Sequence, residues 1–261
     1  HQLQFRSLTV SDLALGGRLY FGVKGYAVGD DRGINVLDGT TGDWSSYPLS
    51  ESRTDLGSSG ADTTLVIAGG KQGAGVSATV DVFDTASRSW TTSQLSQPRA
   101  RLIAGTVGSR VLIAGGAATL DDPATTVDLY DTRSGELRTA ALPQPRRFLT
   151  GTGLGTLALF AGGDAASLLP SDVVDIYDAA ADTRTTEHLS QVRTGLGATS
   201  VGNLALFAGG SRPTSTVDIY DSVTDQWSTA ALSEARSAPG ATSVGTLALF
   251  AGGQIETGFS D

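Results

Sequence analysis

The stretch that decides the fold is Leu65-Val66-Ile67-Ala68-Gly69-Gly70, an apolar run closed by a glycine pair, because it recurs along the chain. It reads VLIAGG at 111–116 and ALFAGG at 158–163, 205–210 and 248–253, with a degraded copy, LYFGVKG, at 19–25. The last glycine of each copy falls at Gly25, Gly70, Gly116, Gly163, Gly210 and Gly253, in steps of 45, 46, 47, 47 and 43 residues. A second block follows the first five copies: INVLD at 34–38, VDVFD at 80–84, VDLYD at 127–131, and VDIYD at 174–178 and 217–221. Six residues past its final Asp stand Trp44, Trp90, Leu137, Arg184 and Trp227, and nine residues further an Arg stands every time: Arg53, Arg99, Arg146, Arg193 and Arg236. A period of this length marks a chain built from one repeated supersecondary unit.

Each unit reads as four strands. Strand a runs from the Arg to a two-residue turn such as Gly108-Ser109 or Gly202-Asn203, a hairpin signal. Strand b is the apolar run, whose unbroken hydrophobicity fits burial on both faces between stacked sheets. Strand c is the VDxYD block, and strand d carries the Trp and ends near Leu49, Leu95, Leu142, Leu189 or Leu232. Helical periodicity is not evident. Four strands in 40–50 residues make a propeller blade. The expectation is an all-β, six-bladed β-propeller of four-stranded antiparallel blades, a single domain over 1–261, with blades near 7–52, 53–98, 99–145, 146–192, 193–235, and 236–261 plus 1–6.

The glycine pair after an apolar strand, the aromatic of strand c and the Trp shortly after resemble the kelch repeat, and the pattern covers nearly the whole chain. Leu137 and Arg184 depart from it in place of Trp, and Val23-Lys24-Gly25 replaces the doublet in the first unit, so those blades should pack less bulk. The last unit stops at Ser260-Asp261, where strand c begins, while Leu3 and Phe5 alternate upstream of the first blade. Residues 1–6 are expected to close the last blade as its outer strand, as kelch propellers often do, leaving that blade incomplete, as in a piece of a longer polypeptide or a trimmed chain. Closure also removes strand edges that invite aggregation.

Composition narrows the function. A formal net charge of −9 disfavours nucleic acid, which demands a basic face, and anionic membrane surfaces. No run of 18 apolar residues predicts membrane insertion. There is no Cys, so thiolate metal sites and cysteine nucleophiles are excluded, and so is the copper activity of galactose oxidase, which resembles this architecture but needs a Cys–Tyr cross-link. The two His residues, His1 and His188, are too few and too far apart in the expected fold for a metal site or a Ser-His-Asp set. Asp30-Asp31 and Asp121-Asp122 lack calcium-loop spacing and read as solvated loops. No cofactor and no metal are expected. The acidic, Lys-poor, Ser/Thr-rich surface suits an extracellular or cell-surface setting.

Two groups of residues remain. Arg53, Arg99, Arg146, Arg193 and Arg236 fall where one blade returns to the next, near one rim of the channel, and Asp81, Asp128, Asp175 and Asp218 stand in matching register to pair with them. Strict repetition favours a structural role, with a ligand-facing basic ring as the alternative. The loops after strand b vary on a repeated frame, which is where function concentrates. Their candidate contacts are Tyr26, Lys71, Gln72, Asp164, Leu168, Leu169, Arg212 and Gln254. The expectation is a non-catalytic protein-interaction or scaffold module that binds a protein partner through that rim. The alternative is a carbohydrate-directed protein, lectin-like or resembling a sialic-acid epimerase. Only Tyr26 and Phe259 offer the rim aromatics that a sugar site wants.

Overall fold

A computed structural model describes residues 13–15, 18–21, 33–38, 41–119, 122–256 and 258–259. Within them the chain is all-β, with one short 3-10 turn at Ala166–Leu168. Five four-stranded antiparallel sheets follow one another, each laid down in the simple order a-b-c-d. The second is Gly57–Ala61, Thr64–Ala68, Thr79–Asp84 and Ser89–Gln94, and the third is Ile103–Val107, Arg110–Ala114, Thr126–Asp131 and Leu137–Ala141. In the fourth and fifth, strand d runs unbroken through to the register Arg, as Thr183–Arg193 and Gln226–Arg236. Gly240–Val244 and Leu247–Ala251 pair as a sixth, two-stranded sheet. The proposed closure by residues 1–6, and the candidates His1, Tyr26, Asp30, Asp31 and Asp121, lie outside the described residues.

Why these segments become strands is local. Val, Ile, Phe and Tyr fill b and c, where branched and aromatic side chains pack well on a pleated surface. The a–b hairpins turn on two residues, the first at positive φ: Asp62, Gly108, Gly155, Gly202 and Gly245. Strand b of the second to fifth sheets is largely buried on both faces because consecutive sheets stack, whereas in Leu247–Ala251 of the last sheet Leu247 and Leu249 are exposed. Val66, Ala68, Val80 and Val82 of the second sheet share one apolar cluster with Leu102, Ala104, Val111, Ile113 and Tyr130 of the third. The next clusters join third to fourth and fourth to fifth in the same way. Burying one such aliphatic or aromatic side chain contributes about 1.5–3 kcal/mol, and a single sheet offers it only one side. The a strands of neighbouring sheets lie beside one another, so a is the inner strand.

The glycine pair ends strand b for a steric reason. Gly69 has φ +61° and Gly70 φ +111°. A Cβ at Gly69 would stand 2.4 Å from the carbonyl oxygen of Arg99, in the next sheet, and one at Gly70 2.7 Å from that of Thr54. Gly70 N–H donates to Arg99 O at 2.8 Å, and Gly116, Gly163 and Gly210 donate to Arg146, Arg193 and Arg236 at 3.0 Å each. The doublet is therefore a backbone-to-backbone join between sheets that tolerates no side chain.

Gly115→Ala, whose new Cβ would stand 2.4 Å from Arg146 O, is expected to cost well above the ~1–2 kcal/mol of the left-handed backbone alone. Gly108→Ala, at φ +57° with nothing within 4 Å, should cost only that backbone amount. Urea unfolding of the two variants checks the difference; equal losses would refute the steric account.

Candidate functional site

The chain enters strand a and leaves strand b at the same end of each sheet, so the register Arg and the b–c loop share an edge. There each Arg is built into a repeated node. Nη1 of Arg53 donates to the carbonyls of Gly69 (2.6 Å) and Thr79 (2.7 Å), while Nη2 donates to the Asp81 carboxylate. Arg146 does the same with Gly162 (2.6 Å), Val173 (2.7 Å) and Asp175, and Arg193 with Gly209 (2.7 Å), Thr216 (2.9 Å) and Asp218. Arg99 reaches Thr126 O at 2.8 Å and Asp128 at 2.5 Å. The second oxygen of the Asp accepts from the preceding sheet: Ser50 N to Asp81 at 3.3 Å, Ser96 N to Asp128 at 3.0 Å and Ser190 N to Asp218 at 2.9 Å. Arg236 donates to Gly252 O at 2.8 Å and lies 3.5 Å from Glu234.

Burial pulls the guanidinium pKa of Arg53, Arg99, Arg146 and Arg193 down, and the charge of the paired Asp opposes it. Their side chains are at most 2% exposed. These four guanidiniums face into the sheets and offer no surface to a ligand.

The next two positions along the chain differ from unit to unit: Thr54-Asp55, Ala100-Arg101, Arg147-Phe148, Thr194-Gly195 and Ser237-Ala238. The second of each pair has φ between +51° and +64°. These residues are linked from sheet to sheet: Arg101 N to Asp55 O at 2.8 Å, Phe148 N to Arg101 O at 3.0 Å and Ala238 N to Gly195 O at 2.8 Å. Phe148 is held in a left-handed conformation and is 41% exposed. A bulky residue at positive φ is strained, and such strain collects at functional positions. The Arg101 guanidinium lies 5.0 Å from the Phe148 ring centre and that of Arg147 5.8 Å. Arg101 also stands 3.8 Å from Asp55.

Arg147 is 1% exposed, yet its Nε and Nη1 have no hydrogen-bond partner among the described residues. Burial raises the Asp164 carboxyl above its ordinary range, against a hydrogen bond from Thr194 and the charge of Arg147. Of the two guanidiniums beside the exposed Phe148 ring, that of Arg101 is partly exposed and that of Arg147 is buried.

Around this centre stand the b–c loops. Lys71–Gln72 and Gly75–Val76 form a small hairpin, and exposed Gln72 donates to Glu51 at 2.7 Å. Asp164 bridges to Arg147 and Pro170, at the base of the loop that carries the 3-10 turn. Leu168 and Leu169, 59% and 64% exposed, project from that loop. Arg212 is exposed at φ +56°, and Gln254 pairs with Phe259 in a terminal hairpin while bonding through its backbone to Ser237.

Phe148, Arg101 and Arg147 were not among the residues expected here, and Phe148 adds an exposed aromatic at this edge. The signal was present in the sequence: they occupy the two positions that vary immediately after an invariant register. His188 lies in strand d of the fourth sheet, exposed, with Nδ1 3.1 Å from Asp172. Among the described residues no three His, Asp or Glu are grouped to hold a metal, and no helix is long and apolar enough to cross a membrane.

No family model matches the chain, and no curated protein matches it in sequence. Among solved structures, one described as the structure of YjhT matches with a TM-score of 0.76 at 14% identity, covering 97% of this chain and 93% of that one. At that identity the likeness speaks to the fold.

Adjacent arginines should behave oppositely. Arg146→Met leaves Asp175 buried without its partner and should cost about 3–5 kcal/mol. Arg147→Met removes a buried guanidinium whose donors are not all used, and stability should stay within about 1 kcal/mol of wild type. Urea midpoints decide; equal destabilisation would mean that Arg147 is structural.

Proposed function

We propose that this chain is a six-bladed, kelch-type β-propeller, one domain over 1–261, acting as a non-catalytic interaction or scaffold module. Support for the ring comes from sheets repeating every 43–47 residues, a strands lying side by side, and the match over nearly the full length of a solved chain. The residues linked through Asp55, Arg101 and Phe148 then surround one mouth of the central channel, and the b–c loops crown it.

The observation that carries the binding reading is Phe148, an exposed aromatic in a strained conformation, flanked by Arg101 and Arg147 and set near the apolar Leu168-Leu169 loop. Buried aromatic and Arg anchors with an apolar surround are the usual make-up of an interface hot spot. The partner is a protein that presents an acidic group beside an apolar side chain. A carbohydrate-directed role is the second reading, and the same ring favours it, since a sugar face stacks on an aromatic and an acidic sugar would meet the guanidiniums.

Cross-linking and pull-down from the source cells with wild type, Phe148→Gly, a Leu168→Asp/Leu169→Asp double variant and Val223→Asp tests this. Gly occupies the equivalent place at Gly195, so Phe148→Gly keeps the fold. The expected result is one partner retained by wild type and Val223→Asp and lost, at least tenfold, by the other two. A glycan-array signal that disappears in Phe148→Gly, with no protein retained, would overturn the protein-partner reading in favour of the sugar.

A further inference from the structure

The sixth sheet stops at strand b. Gly240–Val244 and Leu247–Ala251 pair as a hairpin, and among the described residues no strand runs along the second edge of Leu247–Ala251. Residues 240–253 repeat residues 197–210 with one change, Thr246 for Asn203. In the fifth sheet the same Leu-Ala-Leu-Phe-Ala strand carries Thr214–Asp221 on that edge, with Leu206 opposite Ile219 and Phe207 opposite Asp218. The edge that takes a Val-Asp-Ile-Tyr-Asp strand in one sheet is thus presented again in the next. A strand edge of this kind is a template for another strand.

The surroundings repeat as well. Between the fourth and fifth sheets Tyr220 shares a cluster with Leu154, Leu159, Ile176, Leu189 and Phe207, all buried. The equivalent positions one sheet further on are Val201, Leu206, Ile219, Leu232 and Phe250, and each is only half-buried. The polar node recurs in the same register. Arg236 donates to Gly252 O at 2.8 Å, as Arg193 does to Gly209 O at 2.7 Å. Ser233 follows Leu232 as Ser190 follows Leu189, and Ser190 N–H is the donor to the second oxygen of Asp218. An aspartate arriving opposite Phe250 therefore meets the counterparts of the two donors that hold Asp218, the guanidinium of Arg193 and the N–H of Ser190.

We infer that the second edge of Leu247–Ala251 is a docking site for an extended segment of another polypeptide with the pattern Val-Asp-aliphatic-aromatic-Asp, added antiparallel as the third strand of the sheet. Arg236 and Ser233 specify the aspartate. The half-buried floor of Leu206, Ile219 and Leu232 specifies the aromatic. The direction follows from the b–c pairing of the other sheets, which is antiparallel throughout. A second copy of this chain is not the occupant. Its strands of that pattern, at 80–84, 127–131, 174–178 and 217–221, are paired on both edges inside their own sheets. The site lies in a different sheet from Phe148 and stands independently of the role given to that residue.

The probe is the acetylated and amidated peptide of residues 214–221, fluorescently labelled, titrated into the full chain by anisotropy and located by amide hydrogen exchange. Binding should saturate and slow exchange in Leu247–Ala251. The peptide with Asp218→Asn and the peptide with Tyr220→Ser should each bind roughly tenfold more weakly, since each leaves part of the cradle unmet. Leu249→Asp alters an exposed side chain, so the fold is kept, and it should weaken the parent peptide to a similar degree. Phe148→Gly should leave binding unchanged. Absence of saturable binding, equal affinity for the parent and Asp218→Asn peptides, slowed exchange elsewhere than Leu247–Ala251, or loss of binding in Phe148→Gly would each overturn the inference. Dimerisation of the free chain that the peptide abolishes would overturn it in favour of a second copy.

Discussion

Everything in this chain hangs on a buried ion pair that is also a splice between sheets. The Arg that opens strand a donates to its own strand-b glycine and to its own strand-c Asp. Its backbone carbonyl accepts from the glycine pair of the preceding sheet, and the Asp accepts from the end of that sheet's strand d. One residue pair thus satisfies polar groups from four chain segments in two sheets. A buried pair of this kind returns little net stability against its desolvation, and hydrophobic stacking does most of the stabilising. What the node adds is register. Stacked apolar faces slide easily, whereas a planar guanidinium with three fixed acceptors allows one arrangement.

Most of the sheet architecture was legible because it is periodic. The spacing from Gly70 to Val80 and from Asp84 to Trp90 places strands b, c and d without reference to anything outside the unit. The meeting of Arg99 with Asp128 needed the structure. Spacing puts both in the same unit, but only the turn geometry brings a residue 29 positions away onto the guanidinium. The exposed centre was less legible still. Arg147 and Phe148 look like a continuation of Arg146, and one of three consecutive bulky residues is buried on its Asp partner, one is buried with both Nε and Nη1 unused, and one is exposed at positive φ. Nothing in residue type separates them; the twist of the chain entering strand a does.

Repetition also sorts structure from function. A position that every unit repeats serves what every unit needs, which here is stacking and closure of the backbone hydrogen bonds. Positions that break the repeat are released from that need. The residues after the register Arg, the b–c loops, Pro143 and Arg184 all belong to this second kind. At the inlet edge the break adds side chains to a surface, Phe148 and Arg101 where the fifth and last units carry only Gly195 and Ala238. Between the third and fourth sheets the break removes something, a donor and an indole. Pro143 lacks the N–H that Ser96 and Ser190 give to the next sheet's Asp, which leaves Asp175 Oδ1 buried without a donor among the described residues, and Arg184 stands where Trp90 and Trp227 do.

The two kinds of break differ in energetic consequence, and that difference bears on which of them the fold can carry. Phe148 concentrates its strain in one exposed backbone conformation, worth about 1–2 kcal/mol, and its side chain leaves the stacking untouched. Pro143 and Arg184 act inside an interface that holds two sheets together, where an unmet carboxylate oxygen costs about 1–3 kcal/mol and a lost aromatic adds to it. That interface still keeps Leu142, Leu149, Ala158 and Phe160 buried together, and the Arg146 node still holds its glycine carbonyl. A repeated architecture spreads its stability over many equivalent joins, so one weakened join is tolerated while its neighbours remain intact. The tolerance is what lets the third and fourth sheets depart from the repeat while the stack holds.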